Sequence, residues 1–222
     1  MASTPPCYHE DMGKWLAPLG LFLTWALTLW AYFQLPEKIP AHWNAQGEVT
    51  RYGSRLEVFL LPLLLTLVLY PLLALAPRLD PKLRSQAPPV WPWLLAAVVW
   101  TFALIQGAFL YAAWSHAQGI AFPVERAILG AVGLVFGLLG LLLPRLPPNY
   151  LAGVRTPWTL ESPKVWREVH RRAGWIFALL GLLAWLAALL GEGWLWVWFA
   201  ALLAGGLYLV AFSYLAWRKA PE

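Results

Sequence analysis

Residues 194–217 read WLWVWFAALLAGGLYLVAFSYLAW, without one charged side chain. A helix crosses a hydrocarbon layer about 30 Å thick with about 20 mainly apolar residues, so this stretch is long enough to span a bilayer. Working back along the chain, five further stretches qualify or nearly do: 15–35, 56–76, 90–114, 127–143 and 175–190. The fourth and fifth are close to the lower limit of about 17 residues and can gain a turn from their flanks. The reading is an all-α, polytopic membrane protein with six transmembrane helices and no room for a soluble domain. A division near residue 85 separates an N-terminal two-span domain (1–85) from a four-span region (86–222).

Composition supports this class and excludes others. Of the 222 residues, 60% are hydrophobic and 12% are charged, against about 25% charged in an average soluble domain. Cys7 is the only cysteine, which excludes a disulfide scaffold. Abundant apolar surface with a net charge of +5 excludes a disordered chain. The first span is too long for the core of a secretory signal, and no small-residue cleavage site follows it. Many of the sixteen tryptophans stand at span ends, where an interfacial belt is expected. Trp43, Trp158 and Trp166 fall in loops and need another explanation.

Six spans put the termini and the second and fourth loops on one side. That side holds twelve of the sixteen Lys and Arg residues; only Lys38, Arg51, Arg55 and Arg126 are on the other. The asymmetry predicts both termini in the cytoplasm, in a multi-pass protein of the inner membrane. The basic balance therefore reflects topology and does not call for direct nucleic-acid contact.

Two stripes of small residues predict close helix packing: Gly130, Gly133, Gly137 and Gly140 on the fourth span, and Gly174, Ala178, Gly181 and Ala188 on the fifth. No ionisable residue lies deep in a span, which argues against an ion-coupled pump. Thr24, Thr28, Thr66, Thr101 and Gln106 are the main polar groups at depth and suit interhelical hydrogen bonds.

The polar vocabulary concentrates in two loops, which hold the only asparagines, Asn44 and Asn149. The outer block is PEKIPAHWNAQGE (36–48). Pro36 and Pro40 stiffen it toward extended backbone, and Gly47 suits a turn. His42, Trp43 and Asn44 are then held near the membrane surface as a structural clamp or as ligand contacts. The inner block is NYLAGVRTPWTLES (149–162). Ser162 followed by Pro163 predicts a helix start. Trp166 and His170, one turn apart, share a face of a helix that runs along the interface before entering the fifth span. Arg155 and Arg171 suit phosphate headgroups or an acidic partner, or simply anchor the inner face.

No catalytic residues, metal ligands or cofactor motif are assigned. Cys7, His9, Glu10 and Asp11 form a weak metal candidate on the N-terminal tail. Templates such as G-x-S-x-G, H-E-x-x-H and the P-loop are absent. A membrane enzyme using His42 or His170 as general base stays open as an alternative, as does a small transporter. Eleven Arg to five Lys, with few Asn and Met, are compatible with a thermophilic source.

Both blocks resemble one bacterial family. Pro36, Ile39, Pro40, His42, Trp43, Asn44 and Gly47 follow the P-x-x-I-P-x-H-W-N-x-x-G signature of a small membrane domain. Asn149, Gly153, Arg155, Thr156, Pro157, Trp158, Thr159, Ser162, Trp166, His170 and Arg171 look like the signature of the SdpI family. The first signature departs at Thr50 and Arg55, where the pattern carries an acid and a lysine. The resemblance implies a non-enzymatic immunity protein against a secreted antimicrobial peptide of the SdpC type. It also implies signalling, in which the peptide-bound protein holds a small cytoplasmic repressor at the membrane. On that reading Pro40, His42, Trp43, Asn44 and Gly47 form the outer peptide site. Asn149, Gly153, Arg155, Thr156, Trp158, Ser162, Trp166, His170 and Arg171 form the inner docking site.

Overall fold

In the computed structural model, residues 9–83 and 87–219 are described. Among these residues, six helices are long and apolar enough to cross a membrane. The first is His9–Gln34, the third Trp91–Ala117, the fourth Val124–Leu142, the fifth Pro163–Leu190 and the sixth Glu192–Lys219. The second, Arg55–Leu79, is composite. It opens with a 3-10 turn, Arg55–Phe59, and carries a π turn at Leu65–Leu69. Pro71 follows that turn; without an N–H it cannot continue the α ladder, and the widened turn lets Tyr70 N–H bond Leu65 O instead. Large apolar side chains such as Phe22, Trp30, Leu67, Leu189, Leu203 and Leu207 face outward. Lipid is the solvent that accommodates such a surface. This is a multi-pass membrane protein.

One feature departs from the sequence reading. The loop between the first two spans is a β-hairpin, so the fold is mostly, and not entirely, α. Lys38–Trp43 (β1) pairs antiparallel with Val49–Ser54 (β2), with register shifts on either side of His42. Pro40 has no N–H to give the ladder, which suits a strand that breaks register there. Ile39 is fully buried and seats the hairpin on Ala31, Leu35, Val58, Leu110 and Ala113. Residues 163–174 are the first turns of one continuous helix to Leu190, the helix expected to lead into the fifth span. At 1.5 Å per residue its 28 residues reach about 42 Å, beyond a core of about 30 Å, so one end projects past the hydrocarbon.

Packing follows the small residues. A methyl group at Gly140 would meet Ala178 N and Gly174 O at 2.8 Å. One at Gly181 would meet Gly137 N at 2.7 Å and Gly133 O at 2.8 Å. The fourth and fifth spans thus touch backbone to backbone through a glycine seam. Gly130 lies off it, with open space where its Cβ would stand. The sixth span packs on the fifth, where Trp198 Nε1 donates to Leu180 O at 2.9 Å. Polar groups at depth tie the first three spans: Gln106 Nε2 donates to Thr28 Oγ1 at 3.0 Å and to Val58 O at 2.8 Å. Trp25 Nε1 reaches Thr66 Oγ1 at 2.9 Å.

Candidate functional site

The bundle has two polar ends. The hairpin lies at one, against His116 at the end of the third span, with Tyr52 Oη 2.9 Å from His116 Nε2. The inner block lies at the other, where Asp80 after the second span accepts from Tyr150 N at 2.6 Å.

At the inner block the motif residues turn inward. Asn149 is fully buried. Its Oδ1 accepts from Leu151 N at 2.9 Å and Ala152 N at 2.7 Å, and its Nδ2 donates to Pro147 O at 2.9 Å. The asparagine side chain is thus an internal scaffold for the loop's backbone. Gly153 follows with φ +106°, and a Cβ there would run into His170 Nε2. His170 is fully buried and stacks on Trp166 with ring centroids 3.9 Å apart. Val154 N donates to His170 Nε2 at 3.1 Å, so that nitrogen is the acceptor. Nδ1 then carries the proton and donates to Trp166 O at 2.9 Å. Both ring nitrogens are engaged within the protein. Trp166 Nε1 donates to Leu146 O at 2.8 Å.

Thr156 and Ser162 are helix caps. Thr156 starts a short helix, Pro157–Glu161, through a capping box with Thr159. The Thr156 hydroxyl also bonds Ser213 Oγ of the sixth span at 3.0 Å. Ser162 caps the fifth span. Trp158 is half-buried against Tyr214, with ring centroids 5.1 Å apart. Of the inner residues assigned to the docking site, Arg155 and Arg171 are exposed side chains, and Gly153 presents exposed backbone. Arg155 also braces the loop, donating to Tyr150 O at 2.7 Å. Asp80 was not singled out. It is buried, takes the amides of Tyr150 and Lys82, and joins the second loop to the fourth. Its Asp-Pro pair is a turn signal, but sequence does not show what the carboxylate holds.

At the other end the motif surrounds a space. Asn44 shapes the hairpin turn: its Oδ1 accepts from Gln46 N at 3.0 Å and Glu48 N at 2.9 Å, and its Nδ2 donates to Glu48 Oε2 at 2.8 Å. Gly47 closes the turn with φ +78°. Pro40 is buried in β1. His42 is exposed, and its Nδ1 lies 2.7 Å from Thr50 Oγ1. Trp43 sits edge-on to Phe109 of the third span, ring centroids 5.7 Å apart. Between hairpin and bundle lies a cavity of about 840 Å³. His42, Trp43, Asn44, Arg51, Glu57, Glu125 and Arg126 edge it, and Gln106, Ile128, Val132, Leu195 and Trp198 line it further in. Val132 is eight residues into the fourth span, so the cavity extends about 12 Å below the polar edge. That volume is in the range of small-molecule and cofactor sites, about 300–1,000 Å³.

The two carboxylates at its edge differ. Glu57 is saturated: Arg51 grips it through two bonds, at 3.1 and 2.7 Å, and Ser54 N adds a third. The hydrogen bond to Glu57 holds the Arg51 guanidinium above its ordinary pKa. Glu125 Oε2 is shielded from solvent and has no hydrogen-bond partner among the described residues. Arg126 Nε stands 3.7 Å from the other oxygen, too far for a hydrogen bond. Neither acid was singled out in the sequence, because a charged pair at a span start reads as ordinary interfacial polarity. No group of three or more His, Cys, Asp or Glu among the described residues is placed to hold a metal. The N-terminal candidate falls outside them at Cys7, and the side chains of residues 9–12 are likewise not described.

Comparison with known proteins matches both blocks. Residues 19–66 match a domain of unknown function, DUF1648, and residues 145–213 match the SdpI/YfhL protein family. An uncharacterized protein of Archaeoglobus fulgidus is 45% identical over 60 residues, 26% of this chain and 33% of its own length. The chain thus spans about a third of that relative. The immunity protein SdpI of Bacillus subtilis is 23% identical over 171 residues, 77% of this chain and 79% of its own length. No solved structure matches.

Proposed function

The chain is a member of the SdpI/YfhL family with an N-terminal DUF1648 domain, and from that premise we propose that it is a non-enzymatic immunity or receptor protein of the cytoplasmic membrane. Its ligand is an apolar antimicrobial peptide of the SdpC type, met at the hairpin end. The excess of Lys and Arg at the other end supports a cytoplasmic placement of both termini and of the inner block. The division near residue 85 then separates the hairpin-bearing two-span domain from the four-span region that carries the inner block, and the cavity is shared between them.

One observation carries the reading. The His42-Trp43-Asn44 motif roofs a deep, largely apolar cavity, where an apolar peptide segment can leave water or lipid while its polar end stays at the edge. The inner block supports a narrower version of repressor docking. Asn149, Trp166 and His170 fold the loop, and Arg155 and Arg171 are among the exposed cations that an acidic partner would meet. Coupling between the ends requires the peptide to favour one packing of the bundle over another.

The test is protection. Bacteria sensitive to the SdpC peptide and expressing this chain should survive exposure. The Trp43→Ala variant should lose most of that protection at an unchanged membrane level of protein. Full survival with Trp43→Ala would remove the outer site. For the inner face, a co-purified repressor should be lost with the double variant Arg155→Ala and Arg171→Ala; undiminished recovery would end the docking role.

A further inference from the structure

Past its polar edge the hairpin cavity is walled by apolar side chains, among them Leu61, Ile105, Phe109 and Val132, with the amide of Gln106 set between them. The indole of Trp198 also reaches this interior, but its Nε1 is committed to Leu180 O. The partners of Gln106 fix how its amide is turned. The nitrogen gives both hydrogens away, to Thr28 Oγ1 at 3.0 Å and to Val58 O at 2.8 Å. Val58 O is a carbonyl and can only accept, so the nitrogen faces it and the oxygen points elsewhere. That oxygen, Oε1, accepts nothing from the described residues. Glu125 Oε2, sealed beneath the hairpin turn, is the one side-chain oxygen or nitrogen among the described residues that is both shut off and unpartnered. Gln106 Oε1 is unpartnered but not shut off, and what it opens onto is the cavity that Gln106 lines. The residue is only 1% exposed, so the oxygen looks into an enclosed space and not onto open solvent. An amide oxygen in apolar surroundings forgoes the hydrogen bonds of water, and a donor brought to it restores one.

From this arrangement we infer that the cavity takes a peptide bond of the apolar ligand, whose N–H donates to Gln106 Oε1 while the flanking apolar side chains fill the space beside Leu61, Ile105 and Val132. A fatty chain has no donor and leaves the oxygen unpaired. A peptide segment offers one at every residue except proline. Gln106 is suited to this because its nitrogen is already used: the amide cannot turn over to present a donor instead without stranding Val58 O. The contact reads backbone and not side chain, so it selects for a free N–H in an apolar stretch. The inference rests on the peptide reading above and adds the atom that meets the peptide backbone.

The experiment uses the full chain in phosphatidylcholine nanodiscs, whose lipid has no N–H or O–H donor. The probes are a secondary amide with an apolar chain on each side and a diazirine on one of them, which imitates a single peptide bond, and the matching ester, which lacks only the N–H. Crosslinks are mapped by mass spectrometry, and half-saturation is expressed per lipid so that partition into the membrane cancels. The amide should label residues 105–109 or 128–132 with half-saturation at least about fivefold below the ester, as expected for one hydrogen bond. Gln106→Met should remove that preference yet still be labelled by the ester, which shows that the cavity is folded. Thr28→Val deletes a partner of Nε2 and leaves Oε1 in place, so the preference should survive it. Equal half-saturation in the wild-type protein overturns the inference, whether or not the variant folds. So does a preference that persists in Gln106→Met. A diazirine-bearing alcohol of the same chain that labels as tightly as the amide overturns the peptide assignment, since the donor is then a hydroxyl. Protection lost with Trp43→Ala while the probes show no amide preference would refute only this contact. A Gln106-dependent preference with protection unchanged by Trp43→Ala would refute only the immunity reading.

Discussion

His42 and His170 are both motif histidines beside a tryptophan, at opposite ends of the bundle. His170 is wholly enclosed, stacked on Trp166, with one ring nitrogen taking Val154 N and the other giving to Trp166 O. His42 is exposed, touches Thr50, and borders a cavity. The asparagines divide less sharply: Asn149 is enclosed and Asn44 is half-buried, yet each ties its own loop through its side-chain oxygen. The lesson is that motif residues at one end specify a shape, whereas those at the other also surround a space. A buried polar group with every valence used is a fold determinant; function at that end passes to the exposed cations it positions.

This contrast can be broken by stability measurements. The largest effect belongs to His170→Ala. It strands the part-buried Val154 N–H and empties the space against Trp166, for a loss of about 3 kcal/mol. Thermal unfolding in detergent should show it, and a shift no larger than that of His42→Ala would erase the distinction. Gly153→Ala comes next, at about 2 kcal/mol, because the left-handed backbone is strained by any side chain and the new methyl group collides with His170. Faster proteolysis within residues 149–162 is the readout; unchanged cleavage would mean that the loop does not depend on that close approach. Asn44→Ala should cost about 1 kcal/mol, confined to the hairpin. Hydrogen exchange at the Glu48 amide should accelerate while the inner block is unaffected; unchanged exchange would deny Asn44 its turn-forming role. His42→Ala should stay within about 0.5 kcal/mol, as expected of an exposed side chain. A larger loss in thermal unfolding would move His42 into the class of His170.

The spans were legible because the signal is length: an apolar run such as 194–217 has few alternatives. The helix start at Ser162-Pro163 and the glycine stripes were legible for similar reasons, since capping and close packing depend on residues near in sequence. The hairpin was not. Its pairing depends on Ile39 finding a pocket formed by Ala31, Val58 and Leu110, a long-range condition that Pro36 and Pro40 only hint at. The inner block misled in another way. Asn149, Trp166 and His170 are residue types that contact partners as readily as they satisfy backbone, and burial decides between these uses. Glu125 carried no sequence signal at all, because its oxygen is enclosed without a partner only when the turn at Gly47 settles over it.

The glycine seam between the fourth and fifth spans has a genetic consequence. Gly133, Gly140, Gly174 and Gly181 leave no room for even one methyl group without displacing backbone or a packed ring. An unbiased search for variants that lose protection should therefore be crowded with substitutions there. Such hits would record failed assembly, and would have to be separated from the rarer ones at the cavity by asking whether the protein still accumulates.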